Sequence, residues 1–246
     1  AGDQGIMYGF ATDETPEFLP RPLVQVHSLS AGLERLRRSD PRFSWLGPDG
    51  KTQLTIVNGK VESALVSCQH SPDIPLPEIK KLITSALLEP VLGDLKYIHV
   101  LINPTGTFIQ GGFEADAGLT GRKIMVDTYC GLIPHGGGAF SGKDATKVDR
   151  SAAYMARFAA KNIVANGFAK KCVVSVAYAI GRADPLMLEA VDEHGKSVTS
   201  ILKKHFDFRP RAIIERLSLE QPIFRQTAAY GHFGRAGLPW EVTVAL

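Results

Sequence analysis

The chain has 246 residues, which at about 100–200 residues per domain predicts one large domain or two to three small ones. Hydrophobic residues make up 44% and charged residues 22%, proportions that exclude a mainly disordered chain. The formal net charge of +3 is too small to indicate a nucleic-acid-binding protein. No apolar stretch approaches the length of a membrane span. From the charge and from the apolar pattern, respectively, we expect neither nucleic acid nor a membrane as a partner.

The first half of the chain reads as a compact α+β unit. Helical spacing of apolar residues predicts its first helix, and Asn58-Gly59, a strong hairpin signal, joins its first two strands. The predicted order is helix 22–38, strands 51–57 and 61–68, a helix near 79–87 that ends before Pro90, and strand 97–102.

The stretch 111–149 is rich in glycine, which indicates backbone that closely approaches another group. A capping box of Thr146 and Asp149 then predicts the start of a helix that ends at Asn166-Gly167. The other elements predicted in this half are strand 123–129, strand 172–180, helix 198–206 and helix 210–217.

The three cysteines, Cys68, Cys130 and Cys172, are odd in number and widely spaced. Each lies in or beside an apolar run, so we expect buried free thiols in a reducing compartment. The N-terminal residues have neither the basic nor the apolar region of a signal peptide. These patterns together predict a cytoplasmic location.

Residues 137–143 match the pattern GxxxxGK. Such a loop presents backbone N–H groups to phosphate oxygens, and Lys143 adds a positive charge. Asp144 stands where a Walker loop needs Ser or Thr for magnesium, which argues against a Walker-type NTPase. A purely structural glycine loop is the alternative.

Cations and carboxylates alternate around this loop, an arrangement that suits phosphates together with a divalent metal. Surface salt bridges are the alternative. His135 precedes the loop and is a candidate general base, with a structural role as the alternative. Residues 48–51 are predicted to form a turn before a strand. The charged residues are Arg122, Lys123, Lys143 and Lys147 with Asp116, Asp144 and Asp149.

Two segments, Ala-Gly-Asp-Gln-Gly at residues 1–5 and the glycine-rich residues 135–144, match known signature motifs. Residues 1–5 are similar to the end of the GAGDQG hexapeptide of S-adenosylmethionine synthetases, and residues 135–144 resemble that family's second, glycine-rich signature. The resemblance extends from the first residue almost to the last. The other matching segments are 116–123, 147–154 and 230–235.

The resemblance implies an α+β fold of three similar units around a pseudo-threefold axis. The expected units are 13–111, a remnant of the central unit over 112–147, and 1–12 together with 148–246. It also implies the family's reaction, in which L-methionine and ATP form S-adenosylmethionine and the released tripolyphosphate is hydrolysed. A thioether sulfur has no proton to lose, so this displacement needs positioning and cations rather than a general base.

Residue roles follow from the resemblance alone. The catalytic cations are Lys143, Arg122 and Lys123, and the magnesium ligand is Asp149. The ATP-binding residues are Asp49, Gly50, Lys51, Thr107, Phe108, Asp116, Arg122, Lys123, Ala139 and Lys143. The methionine-binding residues are Asp3, Asp116 and Lys147.

The family's N-terminal segment has no counterpart in this sequence, and His-Pro-Asp does not occur. That segment carries a catalytic histidine, another Mg²⁺ ligand and the glutamate associated with K⁺, so we expect the chain alone to be inactive. The resemblance implies Mg²⁺ and K⁺ as cofactors and a homodimer, or dimer of dimers, with active sites between subunits. The cleaved N-terminal segment is another expected partner. The alternative is a non-catalytic nucleotide-binding or dimerisation module.

Overall fold

The computed structural model describes all residues, Ala1–Leu246, and has the predicted α+β class. No helix has both the length and the apolar character needed to span a membrane. The strands are β1 Gly5–Thr12, β2 Leu46–Val57, β3 Lys60–His70, β4 His99–Ile102, β5 Lys171–Tyr178 and β6 Met187–Asp192. The helices are α1 Arg21–Ser39, α2 Leu76–Ile83, α3 Glu89–Leu92, α4 Ile124–Asp127, α5 Val148–Ala165, α6 Thr199–His205 and α7 Pro210–Arg216.

The chain forms two compact units. Residues 22–118 form what we call the hairpin unit, with the sheet β2-β3-β4. Residues 1–21 and 119–246 form the helix unit, with the sheet β1-β5-β6. The division into three units around a threefold axis stays a prediction.

In the hairpin unit, β2 and β3 are antiparallel and β4 runs parallel to β3. The turn residues Asn58 and Gly59 have φ of 49° and 75°, the left-handed pair that an Asn-Gly hairpin turn requires. One face of the sheet packs on the apolar sides of α1 and α2. The buried core includes Leu29, Phe43, Val66, Ile79, Ile83 and Leu88.

The predicted helix end before Pro90 is wrong. A π-helical turn over Thr84–Leu88 follows α2, and α3 continues through Pro90 to Leu92. Pro90 lies in the first turn of α3, directly after the π-helical turn, and proline is tolerated in the first turn of a helix. Gly93, with φ of 79°, ends the helix instead.

In the helix unit, α5 is buried along nearly its whole length. Its small residues, such as Ala156, let β1 lie close to it. A Cβ atom on Gly9 of β1 would lie 2.0 Å from the carbonyl carbon of Ala156, so only glycine fits at this crossing. Strand β1 then pairs antiparallel with β5 from Gly5 to Thr12.

The predicted strand 123–129 is wrong, because Ile124–Asp127 form the single helical turn α4. The hydroxyl of Thr128 donates to the carbonyl of Ile124, which closes the turn. Tyr129 then enters the core, where its hydroxyl accepts from the N–H of Phe10 and its ring stacks on Phe233 at 4.9 Å. Cys130, expected to be buried, is exposed, whereas Cys68 and Cys172 are buried.

The predicted capping box is also wrong. Helix α5 begins at Val148 without a side-chain cap, and the N–H and hydroxyl of Thr146 donate to Asp144 instead. The carboxylate of Asp149 is therefore available for another contact.

A buried ion cluster ties the C-terminal segment to α5. Arg157 donates to both carboxylate oxygens of Glu241 at 3.0 and 2.8 Å, and Lys161 donates to the same carboxylate at 3.0 Å. Arg157 also donates to the carbonyls of Phe10, Glu17 and Phe18. This cluster joins the segment after β1, helix α5 and the C-terminal residues.

Candidate functional site

The residues predicted to bind ligands divide between the two units. The hairpin unit contains Asp49, Gly50, Lys51, Thr107, Phe108 and Asp116. The helix unit contains Asp3, Arg122, Lys123, Ala139, Lys143, Lys147 and Asp149.

The glycine-rich segment 135–143, here called the phosphate loop after its predicted role, lies between β1 and the start of α5. A Cβ atom on Gly136 would lie 1.6 Å from the carbonyl oxygen of Ile6 in β1. A Cβ atom on Gly138 would lie 2.1 Å from Oδ1 of Asp149 in α5. The glycines are therefore required by close packing on both sides, as the glycine-rich pattern of this stretch predicts.

Lys143 and Asp149 form an ion pair at the end of the phosphate loop. The ammonium of Lys143 donates to Oδ2 of Asp149 at 2.6 Å, and the two side chains are 31% and 19% exposed. The pair is thus partly shielded but reachable from solvent. One cation and one carboxylate meet at the place predicted to hold a polyphosphate and its metal.

His135 lies at the other end of the phosphate loop. Its Nδ1 accepts from the N–H of Gly137 at 2.8 Å, which leaves the proton of the neutral ring on Nε2. Burial lowers the pKa of His135, although the nearby Asp149 carboxylate opposes this shift. A neutral imidazole therefore lines the small cleft beside the loop. The cleft is lined by Ile6, Met7, Tyr8, Thr128, Tyr129, Pro134, His135, Gly136, Gly138, Phe140, Asp149 and Ala153.

The segment that carries Arg122 and Lys123 lies against the same loop. A Cβ atom on Gly121 would lie 2.6 Å from Cβ of Ala139, and one on Gly142 would lie 3.7 Å from Thr120. The side chains of Arg122 and Lys123 are exposed. The structure thus brings their backbone to the phosphate loop.

Lys147 and Asp3 lie outside the contacts of the Lys143–Asp149 pair. Lys147 donates to Asp144 at 2.9 Å, and both side chains are exposed. Hydrogen bonds from Thr146 and then Lys147 hold the pKa of Asp144 well below its usual value. Asp3 is exposed and accepts from the N–H of Gln4 at 2.8 Å.

In the hairpin unit, the segment after β4 returns along the end of the β2–β3 hairpin. The N–H of His70 donates to the carbonyl of Phe108 at 2.9 Å, and the N–H of Phe108 donates to Nε2 of His70 at 3.1 Å. Farther along, the N–H of Gly112 donates to Oδ2 of Asp49 at 3.0 Å. Asp49 and Phe108, far apart in sequence, are thereby held at one end of the sheet.

Gln69 joins Asp49 to Ile109, the residue after Phe108, and it was not among the residues predicted from the sequence. Its side chain accepts from the N–H of Asp49 and donates to the carbonyl of Ile109. Cβ atoms on Gly47 and Gly111 would lie 2.7 and 2.8 Å from it, so glycines flank the amide on both sides. The only signal in the sequence is the polar pair Gln69-His70, which ends an alternating strand.

The remaining hairpin-unit residues, Gly50, Lys51, Thr107 and Asp116, are exposed. Gly50 and Lys51 pair with Cys68 and Ser67 of β3, so the predicted turn 48–51 is part of β2 instead. Thr107 immediately precedes Phe108.

No group of three or more His, Cys, Asp or Glu side chains is arranged to hold a metal ion by itself. Magnesium bound with a nucleotide usually takes one or two protein carboxylates, with phosphate oxygens and water as its other ligands. Asp149, whose carboxylate lies against Gly138 of the phosphate loop, fits that limited role.

Comparison with known proteins adds independent information. Residues 110–242 match the family model of the S-adenosylmethionine synthetase C-terminal domain, and residues 1–108 match that of the central domain. The chain is 49% identical over 259 residues to an S-adenosylmethionine synthase of Pseudothermotoga lettingae, covering 98% of this chain and 65% of that protein. It is also 49% identical to the S-adenosylmethionine synthase of Petrotoga mobilis, covering 98% of this chain and 64% of that protein. The chain thus spans slightly less than two thirds of these relatives.

Proposed function

The chain belongs to the S-adenosylmethionine synthetase family, and we propose that it supplies the phosphate-binding and adenosine-binding parts of an enzyme that makes S-adenosylmethionine from ATP and L-methionine. The observation that carries this proposal is the phosphate loop with the Lys143–Asp149 pair at its end. The names of the two relatives support the reaction class.

In this reaction the methionine sulfur attacks C5′ of the ribose. A sulfur–carbon bond forms, the bond between C5′ and the tripolyphosphate oxygen breaks, and its electron pair leaves with that oxygen. The attacking thioether carries no proton, so the step requires no general base. His135, whose Nδ1 already accepts from the N–H of Gly137, has no proton to remove in this step. Water then hydrolyses tripolyphosphate to pyrophosphate and phosphate.

Lys143 stabilises the negative charge that accumulates on the leaving oxygen. When a polyphosphate enters the loop, its oxygens replace Asp149 as partners of the Lys143 ammonium. The Asp149 carboxylate is then available to Mg²⁺, which would neutralise charge on the phosphates when bound. Arg122 and Lys123 lie on a segment packed on the loop and add further positive charge. K⁺ is a second proposed ion, with ligands outside this chain.

The proposed adenosine contacts are residues of the hairpin unit. Phe108 supplies a ring for stacking on adenine, and Asp49 to Lys51 with Thr107 and Asp116 supply polar contacts to the nucleotide. The hydrogen bonds of Gln69 and His70 fix the backbone of Asp49 and of Phe108. Asp3, Asp116 and Lys147 bind methionine. Each active site forms between subunits of a homodimer or a dimer of dimers.

The test compares the 246-residue chain with the same chain joined to the part of the Pseudothermotoga lettingae relative that it does not cover. Product is measured by mass spectrometry after incubation with ATP, methionine and Mg²⁺. We expect S-adenosylmethionine from the joined protein and none from the chain alone. Product from the chain alone would contradict the need for the added segment.

Asp149→Asn in the joined protein is the matched variant. Loss of a partly exposed ion pair costs about 0–1 kcal/mol, so the melting temperature should change little while turnover falls sharply and recovers partly at raised Mg²⁺. Near-normal turnover of this variant would remove the metal role. A folded joined protein that binds ATP but forms no product would instead support a non-catalytic nucleotide-binding module.

A further inference from the structure

Arg150, the residue after Asp149, is buried with an exposed fraction of 3% and holds the end of the phosphate loop from inside. One Nη donates to the carbonyl oxygen of Lys143 at 2.7 Å. The other Nη donates to the hydroxyl of Thr227 at 3.1 Å, and Nε donates to the hydroxyl of Tyr154 at 3.0 Å. All three sides of the guanidinium are thus bonded.

None of the three acceptors is a carboxylate, and Arg150 belongs to none of the ion pairs of the structure. The guanidinium carbon lies 3.7 Å from the centre of the Phe224 ring, which adds only a cation–π contact. Arg157, on the same helix and also buried, is by contrast paired with Glu241. Burying a guanidinium with no carboxylate in hydrogen-bond contact is costly, so packing alone does not explain an arginine at this position.

The residues bonded to Arg150 also carry no negative charge. The hydroxyl of Tyr154 and Nδ1 of His232 are 2.7 Å apart, and Nε2 of His232 lies 3.4 Å from the hydroxyl of Ser141 in the phosphate loop. Burial raises the pKa of Tyr154, so its hydroxyl stays protonated. Burial, with the charges of Arg150 and Arg235, lowers the pKa of His232 to about 3, so its ring is neutral.

The contact with Lys143 also sets the direction of a peptide group. The carbonyl of Lys143 points inward to Arg150. Because the peptide bond is trans, the N–H of Asp144 points the opposite way, away from the buried guanidinium. Arg150 thereby holds the Lys143 carbonyl oxygen on the inner side of the loop, and the N–H of Asp144 faces the outer side.

We propose that Arg150 is a positioning residue for the polyphosphate: it fixes the Lys143–Asp144 peptide of the phosphate loop, and the bound polyphosphate supplies the counter-charge for its guanidinium. This inference rests on the proposed function and adds a buried residue to the more accessible cations already assigned. The ligand class is a linear polyphosphate, and inorganic tripolyphosphate is the probe.

The experiment measures tripolyphosphate binding to the 246-residue chain by calorimetry, together with thermal unfolding of each variant. Hydrogen bonds to charged groups contribute about 1.5–3 kcal/mol, so Arg150→Gln should weaken binding by roughly tenfold to a hundredfold. Arg150→Lys, which keeps the charge but not the fork, should recover part of that loss. Lys161→Gln is the matched control, because it removes a buried cation of the same helix that bonds to Glu241. It should lower stability and leave tripolyphosphate affinity unchanged.

A second measurement needs no variant and covers the case in which Arg150→Gln fails to fold. Tripolyphosphate should shift the ¹⁵Nε resonance of Arg150 with the same dissociation constant as the loop amides, while that of Arg157 stays in place. An unmoved Arg150 resonance in the bound protein overturns the inference, as does normal affinity in folded Arg150→Gln. If wild type binds no tripolyphosphate, the proposed phosphate site fails together with it. If binding is lost in Lys143→Ala but kept in Arg150→Gln, only the inference about Arg150 fails.

Discussion

The ammonium of Lys143 lies 2.6 Å from a carboxylate oxygen of Asp149. One residue ends the glycine-rich loop and the other lies in the first turn of α5. Their pairing holds the loop on the helix with two groups that also have the chemistry to bind phosphate and metal. Changes that separate the pair should therefore affect function more than stability.

Gly138→Ala tests the close contact between the phosphate loop and the Asp149 carboxylate. The added Cβ would lie 2.1 Å from Oδ1 of Asp149, so the carboxylate or the loop must move. In the joined, active protein we expect a large loss of turnover with a smaller change in melting temperature. Gly118→Ala is the control, because a Cβ there meets no atom within 4 Å. Equal activity of the two variants would show that the close contact of Gly138 with Asp149 is not needed for turnover.

Lys143→Ala should lower kcat much more than it changes methionine binding. In the proposed reaction the ammonium faces a leaving group whose charge grows in the transition state. Loss of one such preorganised partner costs about 2.7–4 kcal/mol, or roughly 10²–10³ in rate. Steady-state kinetics with varied ATP and methionine would measure this. An unchanged kcat with only a raised KM for ATP would mean that Lys143 binds the ground state alone.

The sequence predicted the elements whose signals are local. The Asn58-Gly59 turn defines β2 and β3, and the alanine-rich face with Asn166-Gly167 defines α5. Strand β1 was missed because Gly5 and Gly9 weaken the strand pattern. Gly9 is present for the contact of β1 with α5, which no local signal reveals.

The site was predictable only in part for a similar reason. The motif located a closely packed glycine-rich loop, and its phosphate-binding role stays a prediction. The capping box assigned Asp149 a local partner, whereas the structure pairs it with Lys143. Arg150 and Gln69 act through backbone groups of other segments, and such contacts depend on how the chain folds back. Apolar periodicity also does not separate a short strand from the helical turn α4.

Phe108→Ala tests the nucleotide end of the proposed site. Stacking of a base on an aromatic ring contributes about 1–3 kcal/mol, so we expect the KM for ATP in the joined protein to rise about fivefold to a hundredfold. The backbone of Phe108 is held by His70, so the segment should keep its position. Phe113→Ala is the control, because that ring is 92% exposed. A similar KM for both variants would argue against stacking by Phe108.

Glu241 should make stability depend on pH in acid. Burial raises the pKa of Glu241, but the opposing effect of Arg157, followed by that of Lys161, is larger. The pKa of Glu241 therefore lies below its ordinary value of 4.5. Because the pKa is lower in the folded state, the Glu241 carboxylate contributes fully to the free energy of unfolding above about pH 4.5. That contribution is lost as the pH falls through the lower, folded-state pKa.

Glu241→Gln leaves two buried cations without their counter-charge and should cost about 3–5 kcal/mol at neutral pH. It should also flatten the dependence of unfolding free energy on pH in that acid range, measured by urea unfolding at several pH values. Glu215→Gln, at an exposed pair with Arg211, should change neither quantity appreciably. A pH dependence of Glu241→Gln equal to that of wild type would mean that other carboxylates control acid unfolding.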